Sequence, residues 1–543
     1  MRAALAVAVV STLLLGPRVR ADQAQAQAQG VGEVTFPNSG APAAQAPFLA
    51  GLAQLHNFEY ASAADLFRKA QQIDPGFAMA HWGEAMTYNH PVWMEQDLSA
   101  ARKALERLGP TRDGRAAAAK TPREKDYLRA VDILYGEGAK PARDLAYASA
   151  MAGLHHAYPD DPDAAAFYAL ALLGTAHGGR DFAIYMRAAA VVEPVFRDHP
   201  QHPGAAHYLI HSYDDPIHAP LGQRAARAYS KIAPSAGHAQ HMTSHSFVAL
   251  GMWDDLVSAN ETAVTVVDAG RASRGLVPSA CGHYNFWLEY GYLQQGRFSK
   301  AKQLVASCLE AARRANPTPP LGGQILDPDN TAAGSFAAMR LRYLLDTEDW
   351  TSDVAAWTVD SRGGLRTEIA LEFGTGYAAA QSGQRAAAGS ALDRLARARQ
   401  ALEASLAGND GGSAQSQARE WARLLQSQLA AVIQAADGGR AEATSKVRDA
   451  ATLEDGLPIE FGPPAIDKPS RELLGEMLLS QGKPAEARAA FEQALTRTPE
   501  RTASLRGLMR AAVESGDTHK GDELRTRLRA IWRLADQIPQ EIR

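Results

Sequence analysis

An all-α fold, a right-handed solenoid of antiparallel helix pairs, is what this chain predicts, and three observations carry the expectation. The 543 residues are rich in alanine and other helix formers, 46% being hydrophobic and 21% charged. Stretches of helical periodicity follow one another at short intervals and are punctuated by Gly and Pro, as expected when each helix stops and a partner returns antiparallel to it. A histidine pair, His207 and His211, recurs 34 residues later as His241 and His245, so two successive units carry the same residues at the same places. The length would also accommodate three or four compact domains, but the repeat register favours a stack.

Taken in order, residues 1–21 read as a signal peptide: Met1-Arg2, an apolar run from Ala3 to Gly16, and Val19-Arg20-Ala21 with small residues at the cleavage positions. The mature protein is therefore expected to be periplasmic or secreted, with no membrane span once the signal is removed. Arg18 and Arg20 directly after the run leave an uncleaved anchor as the alternative. Residues 22–46 alternate Gln and Ala and then turn to Pro and Gly, which predicts a disordered spacer. Residues 47–398 form an N-terminal, His-rich array, and residues 399–543 a C-terminal helical region that ends in repeats. The periodic segment Arg399–Gln434, broken at Gly408–Gly412, divides the two. Insertions are expected at Pro91–Arg123, Arg271–Ser279 and Ala315–Asn330.

Several segments share one packing pattern: Tyr60, Ala63, Phe67, Ala70 and Pro75; Gly251, Trp253, Leu256 and Ala263; Gly296, Phe298 and Ala301; and, most completely, Gly475, Gly482, Ala487, Phe491, Ala494 and Pro499. Small residues at the crossing points let two antiparallel helices approach, and proline stops the second. The pattern resembles the tetratricopeptide repeat family over about two thirds of residues 44–535, and HPGAAHYLIH, HMTSHSFVALGMWDD and FGPPAIDKPSRELLGEML resemble segments of exported bacterial members. The resemblance implies the solenoid and export, and no particular activity.

Histidines four apart on a helix share a face and can reach one metal ion. With 16 His in 543 residues, chance places about half of one such pair in the chain, so two pairs in repeat register point to a purpose. Counted along the first helix of each unit, His207 and His241 fall at position 5, His211 and His245 at position 9, and His238 at position 2. That stripe lies apart from the packing stripe at positions 4, 7, 8 and 11, and in the tetratricopeptide family it lines the concave groove. His283 falls at position 2 of the next unit and extends the ladder. The expected ligand set is His207, His211, His241, His245, His238 and His283, holding one or two transition-metal ions, Cu or Zn before Fe. Three imidazoles suit one ion with an open position; six shared between two ions suit dioxygen chemistry. Asp214 is expected to orient an imidazole or supply an oxygen, Asp215 to end a helix, and Tyr208 or Tyr213 to orient a substrate.

The remaining polar residues read more plainly. His177 sits in a turn, and His199, His202 and His218 flank prolines as caps or surface residues. His81 and Glu84 occupy a packing stripe and predict a buried polar network. Glu472 and Glu476 occupy positions 5 and 9 of the last array; a solvated acidic face is the simpler expectation, a site for a cation or basic peptide the other. Cys281 and Cys308 read as two small core residues, with a disulfide permitted by export. A net charge of −4 with mixed signs speaks against nucleic acid, and GxSxG, Walker, GxGxxG and HExxH motifs are missing. Two functions follow: a solenoid binding one or two metal ions, with oxidase or hydrolase chemistry open to it, or a metal-independent scaffold for proteins or peptides of the cell envelope. Either would take a small molecule or peptide in the groove.

Overall fold

The computed structural model describes residues 30–315, 331–407 and 413–543. Within them the chain forms twenty-four α-helices and one pair of two-residue strands, Asn89–His90 against Glu95–Gln96. The expected signal peptide, the first residues of the spacer, the Gly408–Gly412 break and nearly all of the Ala315–Asn330 insertion lie outside the described residues.

Local chemistry starts many of these helices. Thr121 and Glu124 form a reciprocal capping box before Pro122–Leu134, and Asp161 and Asp181 accept backbone N–H groups at the starts of Pro162–Leu173 and Phe182–Asp198, satisfying donors that a helix cannot pair internally. Consecutive helices then pair. Pro203–Tyr213 is followed by Ala219–Ile232, Gly237–Ala249 by Trp253–Ala272, and His283–Gln294 by Phe298–Arg314. The outer members are amphipathic: Ala219–Ile232 buries Ala219, Gly222, Ala225, Ala226, Tyr229 and Ile232, spaced as one helical face. The inner members Pro203–Tyr213 and Gly237–Ala249 bury every residue. The sequence places their histidine stripe on an open groove; the structure covers it.

Two segments do the covering. The N-terminal repeat lies on one side, and the C-terminal region folds back on the other, where Trp253 Nε1 donates to Glu500 O at 3.1 Å, Trp532 Nε1 to Gln294 O at 2.8 Å, and Thr502 Oγ1 to Gln294 Oε1 at 3.0 Å. This return lays the irregular segment 457–469 over the histidine helices.

Two expectations about organisation are corrected. The spacer does not extend to residue 46: Val31, Val34 and Phe36 are buried in the first hydrophobic core, and Asn57 Nδ2 donates to Val31 O at 2.9 Å. Its Pro and Gly residues serve a packed, extended strap, which composition cannot distinguish from a loose one. Nor does packing break near residue 399. One continuous core runs from Ala165 to Ile542, and the other joins residues 31–171 to Tyr208, so the change of core falls in the Pro162–Leu173 helix. Cys281 and Cys308 are joined by a disulfide, where the sequence favoured two separate core residues. No helix among the described residues is long and apolar enough to cross a membrane.

Candidate metal centre

All six histidines of the expected set come together, in two adjoining triads. His207, His211 and His238 form one and His241, His245 and His283 the other, with one ring nitrogen from each residue within 4.8 Å of its two companions. Imidazole rings of His211 and His245, one from each triad, lie 5.4 Å apart between centroids. Five of the six side chains are buried and His283 is partly exposed.

The hydrogen bonds decide which nitrogen is free. His207 Nδ1 donates to His56 O at 2.6 Å, and His241 Nδ1 to Asn260 Oδ1 at 2.7 Å; the Asn260 amide is oriented by its own donation to Leu256 O at 2.9 Å. His211 Nδ1 and His245 Nδ1 both donate to Asp214 Oδ2, at 3.2 and 3.0 Å. A carbonyl or carboxylate can only accept, so each Nδ1 carries the proton and each Nε2 carries a lone pair. The Nε2 atoms of His207, His211 and His238 are buried with no hydrogen-bond partner. The Nε2 atoms of His241 and His245 face each other at 3.2 Å, lone pair against lone pair. Two ligands about 2.0–2.1 Å from a tetrahedral ion would sit about 3.3 Å apart, so this spacing could accommodate a shared cation.

A proton between the two rings is the competing explanation, and electrostatics oppose it. Burial, reinforced by neighbouring imidazoles, holds His207, His238 and His241 well below the usual histidine range. Burial also brings His245 down to about 4, against the opposing pull of Asp214. Burial alone would raise Asp214, but the Arg180 guanidinium and the two imidazole hydrogen bonds outweigh it and keep the carboxylate ionised. Neutral imidazole is the metal-binding form, and a carboxylate on the far nitrogen fixes its orientation and raises its basicity. Asp214 therefore orients one imidazole in each triad, while its other oxygen pairs with Arg180.

Aromatic rings wall the centre. Phe58 and Tyr229 lie 4.2 and 5.2 Å from the ring of His207, Trp93 lies 6.0 Å from His238, Tyr284 lies 4.9 Å from His241, and Trp287 stacks at 4.5 Å on His245. Phe461, from the covering segment, stacks on His245 at 5.1 Å. The next residue, Gly462, has φ +101° and lies where a Cβ would be 2.6 Å from Trp287, so both conformation and space require glycine there.

Other expected residues lie elsewhere. Asp214 orients imidazoles as expected, and Asp215 accepts the N–H groups of Ile217 and His218 before the next helix. The hydroxyls of Tyr208 and Tyr213, expected to orient a substrate, are engaged with His56 Nδ1 at 2.9 Å and Glu193 at 3.2 Å. His177 pairs with Asp144 at 2.9 Å, His199 is exposed and His218 pairs with Asp215. Glu84 forms a polar network with Gln71, Arg68 and Arg107, His81 faces the backbone carbonyls of Ala104 and Pro75 at 3.3 and 3.2 Å, and both residues line a separate cavity of about 640 Å³. Glu472 is buried and Glu476 partly exposed, and neither stands alone: Lys468 bridges them at 3.2 and 2.5 Å, and Glu472 also binds Arg501 at 2.9 Å.

Sequence reasoning missed the supports: His56, Asn260, Arg180 and Phe461. It also missed a third buried group, His56, Asp163 and His202. There His202 Nδ1 accepts from Ala205 N at 3.1 Å, so its Nε2 carries the proton and faces Asp163 at 3.4 Å; His56 Nε2 lies 2.8 Å from the same carboxylate. The carboxylate is hydrogen-bonded by His56, while Asp163 Oδ2 and His202 Nε2 are buried without a hydrogen-bond partner. Nothing in the sequence near His56 marks it, because its partners are more than a hundred residues away.

Residues 469–501 match a family model of the tetratricopeptide repeat. No curated protein matches the chain. Among solved structures, the human IFIT1 dimer with m7Gppp-AAAA aligns over 96% of this chain and 95% of its own at 11% identity and a TM-score of 0.37. Yeast Tom70 aligns over 88% and 96% at 14% identity and 0.35, and the APC/C hetero-tetramer Cut9-Hcn1 over 91% and 81% at 11% identity and 0.35. Likenesses at this level say nothing of what this chain binds. Residues 469–501 are thus a tetratricopeptide repeat, and the described chain around them is an all-α stack of helix pairs.

Proposed function

We propose that this protein is an exported tetratricopeptide-like solenoid that holds two transition-metal ions, one in each histidine triad, and uses them for redox chemistry with a small molecule such as dioxygen. The observation that carries the reading is the pair of Nε2 lone pairs 3.2 Å apart, with both Nδ1 atoms already engaged. Copper is the best match. Six imidazoles suit it, it stands highest in the order of divalent affinities, and its monovalent state places less charge in a buried site whose nearest carboxylate is paired to arginine. Zinc shares the ligand type, and hydrolysis is the chemistry it would supply. Export fits both the disulfide and the leader-like first residues.

The tetratricopeptide match at 469–501 favours a second reading, a metal-independent scaffold for peptides or proteins. One measurement separates the two. The full chain, purified without a histidine tag and reconstituted with copper or zinc, should hold two equivalents by elemental mass spectrometry, and His207→Ala with His241→Ala should hold none tightly. Failure of the unaltered chain to retain stoichiometric metal would leave the scaffold reading standing.

A further inference from the structure

The six ligands are not equally well held. His207 and His211 sit within Pro203–Tyr213, and His241 and His245 within Gly237–Ala249, inside continuous helical hydrogen bonding. His238 lies nearer a helix start, but its backbone N–H donates to Glu59 Oε1 at 3.0 Å. His283 is the first residue of His283–Gln294, after Gly282, which has φ +100° and makes no side-chain cap. The chain before it is irregular and exposed, with Val277 75% accessible. Helix ends and such loops open most readily.

Two residues before His283, Cys281 is bonded to Cys308, in the middle of the Phe298–Arg314 helix, where Cys308 is fully buried. Hydrogen bonds assist: Asn285 Nδ2 donates to Ser279 O at 3.0 Å, and Ser279 N to Asp268 Oδ1 at 2.7 Å. The disulfide is the covalent link from this entry segment to the packed core, and it stands beside the one ligand that begins a helix. We infer that Cys281 and Cys308 are positioning residues for the second metal site: their disulfide fixes His283, so the oxidised chain holds two ions and the disulfide-free chain holds only the ion of the His207, His211 and His238 triad tightly. This rests on the two-ion reading above, and it makes the occupancy of one site depend on the oxidation state of a bond that touches no ion.

The test titrates the full chain with Co²⁺, whose visible absorption reports imidazole coordination, in three forms: unaltered, Cys281→Ser with Cys308→Ser, and His283→Ala. Serine is used in place of a reductant because free thiols would themselves bind the probe. The unaltered chain is expected to bind two equivalents. The disulfide-free chain should bind the first with unchanged affinity and the second about tenfold or more weaker, as when a supporting partner is lost. His283→Ala should show the same loss, and combining the changes should add nothing. The first triad serves as the internal reference for folding. A second equivalent of unchanged affinity in the disulfide-free chain overturns the proposal, as does equal weakening of both equivalents, which marks a general effect on the fold. An unaltered chain that binds no cobalt overturns the metal reading itself, and this inference with it.

Discussion

Two regions occupy the same places in the repeat and do opposite things with them. His207, His211, His241 and His245 stand at positions 5 and 9 of their units, and Glu472 and Glu476 stand at positions 5 and 9 of theirs. All but Glu476 are buried. Around Glu472 every charge finds its opposite: Lys468, Arg501 and the Ser504 hydroxyl at 2.5 Å, with Arg501 completed by Asp346 at 2.5 Å. Around the four histidines the far nitrogen of each ring is satisfied, and the near nitrogens face inward, without partner at His207 and His211 and against each other at His241 and His245. A buried polar group is costly unless partnered. The closed set of charges therefore reads as structure, and the convergent open set reads as a place for something the chain itself does not supply.

The comparison can be broken most forcefully at the closed set. Arg501→Ala removes the partner of two buried carboxylates, Glu472 and Asp346, and should destabilise the protein by about 3–5 kcal/mol in chemical denaturation. Metal stoichiometry should remain unchanged under native conditions. If the variant unfolds normally but loses metal, the two regions are not separate.

Acid should distinguish them next. Burial holds His56 and His245 at about 4 when folded, against 6.5 when free. Below pH 6.5 the unfolded chain takes up protons that the folded chain refuses, so stability of the metal-free protein falls as pH drops from 6.5 towards 4, by roughly 3 kcal/mol per imidazole at most. Glu289, near the closed set, carries the opposite sign. Burial raises it well above the usual carboxylate range and neither oxygen has a partner, so its contribution is fully present below pH 4.5 and is lost as pH rises through its folded value. Glu289→Gln should accordingly stabilise the protein at pH 8 by about 1 kcal/mol. Melting curves between pH 4 and 8 check both, and a metal-free Glu289→Gln protein equally stable at 4.5 and 7 would contradict the neutral-imidazole assignment.

Asp214→Asn gives the most specific effect. Both imidazoles donate to one oxygen, Oδ2, so an amide either keeps its oxygen there and turns N–H groups on Arg180 or turns N–H groups on both imidazoles, and Arg180 loses one of its two charge partners. Affinity for both ions should fall about 10–100-fold, measured by competition with a chromophoric chelator. Weakening of one ion alone would show that Asp214 does not serve both triads.

The periodicity of 3.6 residues per turn made the two histidine pairs, their shared face and the stack of helices readable from the chain, because a helical face depends only on spacing along it. The 34-residue recurrence likewise placed the pairs on successive units, and both triads drew entirely on the six residues so identified. Tertiary structure decided what spacing cannot encode. The His56 carbonyl reaches His207 across 151 residues, and Phe461 and Gly462 arrive over His245 and Trp287 only because the C-terminal region folds back through Trp253, Gln294 and Thr502. That return turned an expected open groove into a closed centre, and it gave Glu472 the distant Arg501 in place of solvent. Local hydrogen bonding and side-chain periodicity set the elements. Contacts between residues far apart in the chain set the tautomers of His207 and His245, whereas His211 takes its own from Asp214 three residues on.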